Sequence, residues 1–294
     1  MDSMTAKVSC FTRAYHYKHN EEWVFKDSLA EKMLSEEEYN TVADSMAAGI
    51  SFFCPGFEGS QKEGLRFIVD RRLSPSVLAR CAFCERMLDN AMMLGCRQYV
   101  LFASGYDTYA LRSEQTSLRV FELDLPDMIA DKKRRVEAAG LQMCQQAVYV
   151  PCNLTGTEWQ DALCKASFDV SRHAFGSLLG LSYYLQKAHF KALLACIGEL
   201  WSEGSSICFD YPVMDEGKEN ITNRELAKAA GEEMQAKYTY EEMEKMLEEC
   251  GFLIYEHHDD VSATEQFFRK YHESNPAHAM EAPKGTHYCL VVKK

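Results

Sequence analysis

The stretch Gly95-Cys96-Arg97-Gln98-Tyr99-Val100-Leu101-Phe102-Ala103-Ser104-Gly105-Tyr106-Asp107-Thr108 decides the fold. Tyr99–Ala103 is a continuous apolar run, the pattern of a strand buried on both faces. Gly105 follows it and lets the backbone turn tightly. The loop leads into a helix start, whose free N–H groups suit an anion. Upstream, Ser74, Pro75 and Gly95 fit the N-cap, first turn and left-handed C-terminal position of one helix.

Downstream the pattern alternates. Arg119–Leu123 reads as a second strand, and Pro126 opens a helix running to about Ala139. Ala147–Pro151, Ala174–Leu179 and Ser206–Tyr211 read as further strands, with Gly176 weakening the fourth. Lys187–Trp201 is an amphipathic helix. Residues 213–238 are polar and read as an insertion, and Thr239 with Glu242 forms a capping box. Phe252–His258 and His287–Val292 close the sheet. The expected fold is α/β: a Rossmann-like, doubly wound, seven-stranded sheet, mostly parallel, with an antiparallel edge. Residues 1–95 form an N-terminal helical lid over the 96–294 domain.

In such sheets ligands bind beyond the carboxyl ends of the strands. Gly105 lies at the end of the first strand. Glu122 and Asp124 end the second, roughly 20 residues on, the spacing that brings a carboxylate to a ribose. Together they indicate a nucleoside ligand without choosing the cofactor. The dinucleotide pattern G-x-G-x-x-G fails, because Ala103 and Thr108 occupy its first and third glycine positions. A NAD-dependent oxidoreductase is therefore the weaker alternative.

The bulk properties bound the partners. A net charge of −12 argues against nucleic acid or an anionic membrane surface. The basic run Lys132-Lys133-Arg134-Arg135 reads as a solvated helix face. The opening MDSMTAKVSC lacks a secretory apolar core, and no run approaches a membrane span. Twelve scattered cysteines indicate reduced thiols and a cytoplasmic location. Cys81 and Cys84 lack a second pair, so no metal is expected. Oligomeric state is not readable.

The segment GCRQYVLFASGYDTYALR (95–112) resembles the cofactor signature of the leucine carboxyl methyltransferase family and its bacterial relatives. FELDLP (121–126), VPCNL (150–154), LLGLSYYL (178–185) and FDY (209–211) agree in order, as do Thr12-Arg13-Ala14 and Lys26-Asp27. The resemblance spans about residues 10–270. It implies S-adenosylmethionine as cofactor and S-adenosylhomocysteine as product. Ala103, Ser104, Gly105 and Asp107 would wrap the methionyl part, and Asp124 with Glu122 would hold the ribose. Asn153 and Leu154 would lie beside adenine. Arg80 and Arg13 would serve the cofactor carboxylate, with Leu179 and Gly180 nearby.

Three positions depart from the family. Ala103 replaces the first loop glycine, Asn153 replaces an aspartate, and Leu179 removes a carboxylate found in eukaryotic members. A catalytically impaired S-adenosylmethionine-binding protein is thus the other alternative. The implied reaction is O-methylation of a carboxylate or hydroxyl on a small molecule or peptide. Tyr184, Asp210 and Tyr211 are the catalytic or acceptor-lining candidates, with Tyr183 beside them. His173 lies at the wrong end of its strand. With no convincing base, a carboxylate acceptor is favoured, since it is already ionised.

Overall fold

The computed structural model describes residues 3–214 and 233–294. Seven strands form one sheet: β1 (Gln98–Phe102), β2 (Arg119–Asp124), β3 (Ala147–Pro151), β4 (Phe175–Leu178), β5 (Ser206–Pro212), β6 (Phe252–His258) and β7 (Thr286–Lys293). Their order is β3-β2-β1-β4-β5-β7-β6. β1 to β5 pair in parallel, while β7 runs antiparallel between β5 and the edge strand β6. The Rossmann-like sheet expected from the alternating pattern is present. The order reverses between β1 and β4, which opens a crevice beyond their carboxyl ends.

The helices are α1 (Met4–His19), α2 (Glu36–Ala48), α3 (Ile50–Phe53), α4 (Gln61–Ile68), α5 (Ser74–Met93), α6 (Tyr109–Arg112), α7 (Pro126–Ala138), α8 (Glu158–Lys165), α9 (Lys187–Leu200) and α10 (Tyr240–Glu249). Shorter helical turns follow β6. Alternate β1 residues separate to the two faces of the sheet. Val100 and Phe102 join Trp159, Phe190 and Trp201 on one side. Tyr99 and Leu101 join Leu78, Phe83 and Leu88 of α5 on the other. α5 therefore packs directly on the sheet. A third cluster gathers Phe11, Tyr15, Met33, Val42 and Ile68 around Tyr106 and Met128. It seats the remaining N-terminal helices over the β1–β2 end of the crevice.

Several local expectations change. Ser74 is not an N-cap: a wide helical turn over Val69–Leu73 runs into α5 without a break, and the Ser74 hydroxyl caps nothing. Gly176 does not weaken β4, because the Trp201 ring lies where its Cβ would be, at 2.6 Å. The basic run is a solvated face only in part. Lys132 is fully buried against Glu122, and Arg135 pairs with Glu38 and Asp131. Lys133 and Arg134 are exposed. Thr239 and Glu242 do form the capping box that starts α10. The insertion at 213–238 falls mostly outside the described residues. No helix among the described residues is long and apolar enough to cross a membrane.

Candidate functional site

β1 ends at Phe102, and Ala103 turns with φ +53°, in the left-handed region. This is the position where the family signature carries glycine, and the conformation explains that preference. The Ser104 N–H donates to the Leu123 carbonyl (3.0 Å), tying the loop to β2, and the Asp107 N–H donates to the Ser104 carbonyl (2.9 Å). Asp124 holds the loop from the neighbouring strand. Its carboxylate accepts from the Gly105 N–H (2.7 Å) and the Leu125 N–H (2.7 Å). Burial pushes the Asp124 carboxyl up, and those two amides work against it.

The loop floors a cavity of about 860 Å³. That falls in the range of roughly 300–1,000 Å³ typical of small-molecule sites. α1 leans over the floor: a Cβ added at Gly105 would sit 3.6 Å from the Ala6 Cβ. The far wall combines the turn after β4, Leu179 to Leu181, with Tyr183, Tyr184 and the segment Ala236-Lys237.

Two guanidinium groups enter from the N-terminal helices. Arg13 donates from Nε to Asp27 (2.9 Å), from Nη1 to Ser9 (3.2 Å) and from Nη2 to the Tyr106 carbonyl (2.7 Å). Asp27 also accepts from Thr108 (2.7 Å). Burial pushes the Asp27 carboxyl up, but Arg13 and Arg112 outweigh it and hold it below the usual carboxylate range. Arg80 donates from Nη2 to Ser9 (3.2 Å) and lies 3.4 Å from Asp210 through Nη1. Burial disfavours the Arg80 charge, yet Asp210 more than restores it. Ser9 thus joins both cations through one hydroxyl. Sequence reasoning missed Ser9, and nothing in its neighbourhood marks it out.

Of the residues read from sequence, Arg13, Arg80, Ala103, Ser104, Gly105, Asp107, Asp124, Leu179, Gly180 and Tyr184 line this one cavity. Tyr183 lines it as well. The others do not. Glu122 points under the loop to Lys132 and is fully buried. Asn153 is exposed and accepts from the Thr155 N–H and hydroxyl. Leu154 packs on the core beside β3. Tyr211 is fully buried, with its hydroxyl 3.0 Å from His257 Nε2. Asp210 lies behind the wall, where the Gly180 N–H (2.6 Å) and the Tyr183 hydroxyl (3.1 Å) donate to it. A carboxylate so enclosed is not placed to take a proton from an acceptor in the cavity. In a central strand both faces are buried, so strand alternation could not tell which way Asp210 faces.

The comparisons agree with this architecture. The chain matches the family described as leucine carboxyl methyltransferase over residues 6–198. A Bacillus subtilis protein, provisionally named S-adenosyl-L-methionine-dependent methyltransferase YktD, is 33% identical across 99% of this chain and 98% of its own length. A similarly named Frankia alni protein is 34% identical over 45% of this chain and 47% of its own. Among solved structures, a provisionally assigned methyltransferase from Thermobifida fusca superposes with a TM-score of 0.63 at 15% identity, covering 98% of this chain and 94% of that one. That likeness concerns the fold. Sequence match, sheet order and loop geometry together place this chain in the leucine carboxyl methyltransferase family.

Proposed function

We propose that this chain moves a methyl group from S-adenosylmethionine to a carboxylate oxygen of an apolar small molecule or peptide, leaving S-adenosylhomocysteine. The residues present fit the cofactor. The left-handed turn at Ala103–Gly105 leaves room for close approach, and Asp124 at the lip suits a ribose hydroxyl pair. Leu125 and Met128 offer apolar surface for a purine, a role that Asn153 and Leu154, lying outside the cavity, do not take. Arg13 and Arg80 supply positive charge for the amino-acid carboxylate. When bound, S-adenosylmethionine supplies an electrophilic methyl on its sulfonium. The protein's share is alignment and exclusion of water, and positioning alone can supply about 7–11 kcal/mol. The helices of residues 1–95 other than α5 serve as the lid.

One observation carries the choice of acceptor. No histidine is among the described residues lining the cavity. Its two carboxylates are already engaged by backbone amides, Asp124 by Gly105 and Leu125, and Asp107 by Tyr109. A hydroxyl acceptor needs a base; a carboxylate does not. Tyr184 and Lys237 line the wall left for the acceptor. Incubation with methyl-labelled cofactor and a panel of aliphatic and aromatic acids and alcohols tests this. Label should appear as an alkali-labile ester that releases methanol. Label found only in alkali-stable products would contradict it.

Arg80→Ala should weaken cofactor binding. Hydrogen bonds to charged groups contribute about 1.5–3 kcal/mol, so the loss should be roughly 10–100-fold. Unchanged affinity by calorimetry would remove Arg80 from the site.

A further inference from the structure

β5 carries an acid where a core would ordinarily carry an apolar side chain. Asp210 is fully buried between Cys208 and Tyr211, both also fully buried. Enclosing a carboxylate there is costly unless its oxygens are satisfied. They are. Oδ1 accepts the Gly180 N–H at 2.6 Å. Oδ2 accepts the Tyr183 hydroxyl at 3.1 Å and faces Arg80 Nη1 at 3.4 Å. The Tyr183 hydroxyl also lies 3.1 Å from Thr286 Oγ1, and the Ser182 hydroxyl donates to the Asp210 carbonyl at 2.7 Å.

Each partner of this carboxylate faces the cavity that Asp210 itself does not reach. Arg80, Gly180 and Tyr183 all line it. Gly180 takes φ +67°, and a Cβ there would meet Arg80 Nη1 at 2.6 Å. The turn and the guanidinium are therefore stacked flush, and one carboxylate fixes both. We propose that Asp210 is a positioning residue: it aims Arg80 at the cofactor's carboxylate and sets the Gly180–Tyr183 wall on the acceptor side. The inference rests on the cofactor assignment above. A buried ion pair is weak evidence for net stability, so the presence of Asp210 is better explained by orientation of its partners.

Asp210→Asn keeps the shape and leaves one oxygen to accept from Gly180. Its amide would present N–H groups to Arg80, and the guanidinium would swing away. S-adenosylhomocysteine, titrated by calorimetry into the wild-type chain, D210N, R80A and the double variant, separates the possibilities. D210N should bind at least 10-fold more weakly, with far-ultraviolet circular dichroism unchanged. Because Asp210 acts through Arg80, the double variant should bind about as R80A does. D210N binding like wild type, or losses that multiply in the double variant, would overturn the proposal. Should D210N fail to fold, Tyr183→Phe removes one donor that fixes the carboxylate; affinity should then fall in the wild-type background and stay within a few-fold in R80A, where there is no Arg80 left to aim. An equal factor in both backgrounds would overturn it. Failure of the wild-type chain itself to bind would sink the cofactor assignment and this inference together; failure of the variants alone to differ touches only the latter.

Discussion

Gly180→Ala is expected to damage both the fold and the site. Gly180 holds φ +67°, where an L side chain costs about 1–2 kcal/mol. A 1 kcal/mol loss lowers Tm by roughly 2–4 °C in a domain near this size, so about 2–8 °C is expected. The added methyl would also fall 2.6 Å from Arg80 Nη1 and 3.0 Å from Cζ. A guanidinium can move, so the clash itself is relieved cheaply. The movement breaks its contacts with Ser9 and Asp210. Cofactor affinity should then fall at least as far as in Arg80→Ala. Differential scanning calorimetry and a cofactor titration check the two effects separately. A variant with lowered Tm and wild-type affinity would show that Arg80 does not depend on the turn.

Lys132→Met should be the most destabilising single change considered. Lys132 and Glu122 are both fully buried, with Nζ 2.5 Å from Oε2. Removing one partner of such a pair typically costs about 3–5 kcal/mol, because the other charge stays enclosed. The pair lies under the loop, since β2 also receives the Ser104 N–H through the Leu123 carbonyl. Loss of the lysine should therefore loosen the cavity floor.

The pH dependence has a definite sign. Burial already pushes the Glu122 carboxyl up, with Lys132 opposing that shift. Without Lys132 the folded-state value rises further above the unfolded one. The protonated form then favours folding below the unfolded pKa, and that benefit is lost as pH rises through the folded pKa. The variant should be closest to wild type near pH 5 and fall behind toward pH 8. Glu122→Gln added to Lys132→Met should recover much of the loss. Denaturant melts at the two pH values check this, and a deficit that does not grow with pH would contradict it.

Much of the fold was legible because buried parallel strands are mostly apolar runs, as in Val100–Phe102 and, with Glu122 its one charged member, Val120–Leu123. The loop and Asp124 were legible because glycine and acid fall at fixed places on consecutive strands. Side-chain direction was not. Lys132 sits in a polar run, and only the tertiary position of Glu122 turns it inward. Asn153 follows β3 at the right spacing, but its side chain closes a local turn with Thr155. Asp210 and Tyr211 are adjacent on a strand covered on both faces, so one faces Arg80 and the other His257. The signature also hid a conformational fact: Ala103 takes a left-handed turn despite its methyl.

We place an adenosyl-sulfonium ligand in the crevice beyond β1, β2 and β4, anchored by Asp124. Calorimetric titration of S-adenosylhomocysteine into the wild-type chain, with Asp124→Ala and NAD as parallel controls, tests it most directly. One-site binding that Asp124→Ala weakens at least 10-fold, with no heat from NAD, is the expected result. Absence of binding by a chain shown to be folded, or binding indifferent to Asp124, would contradict it.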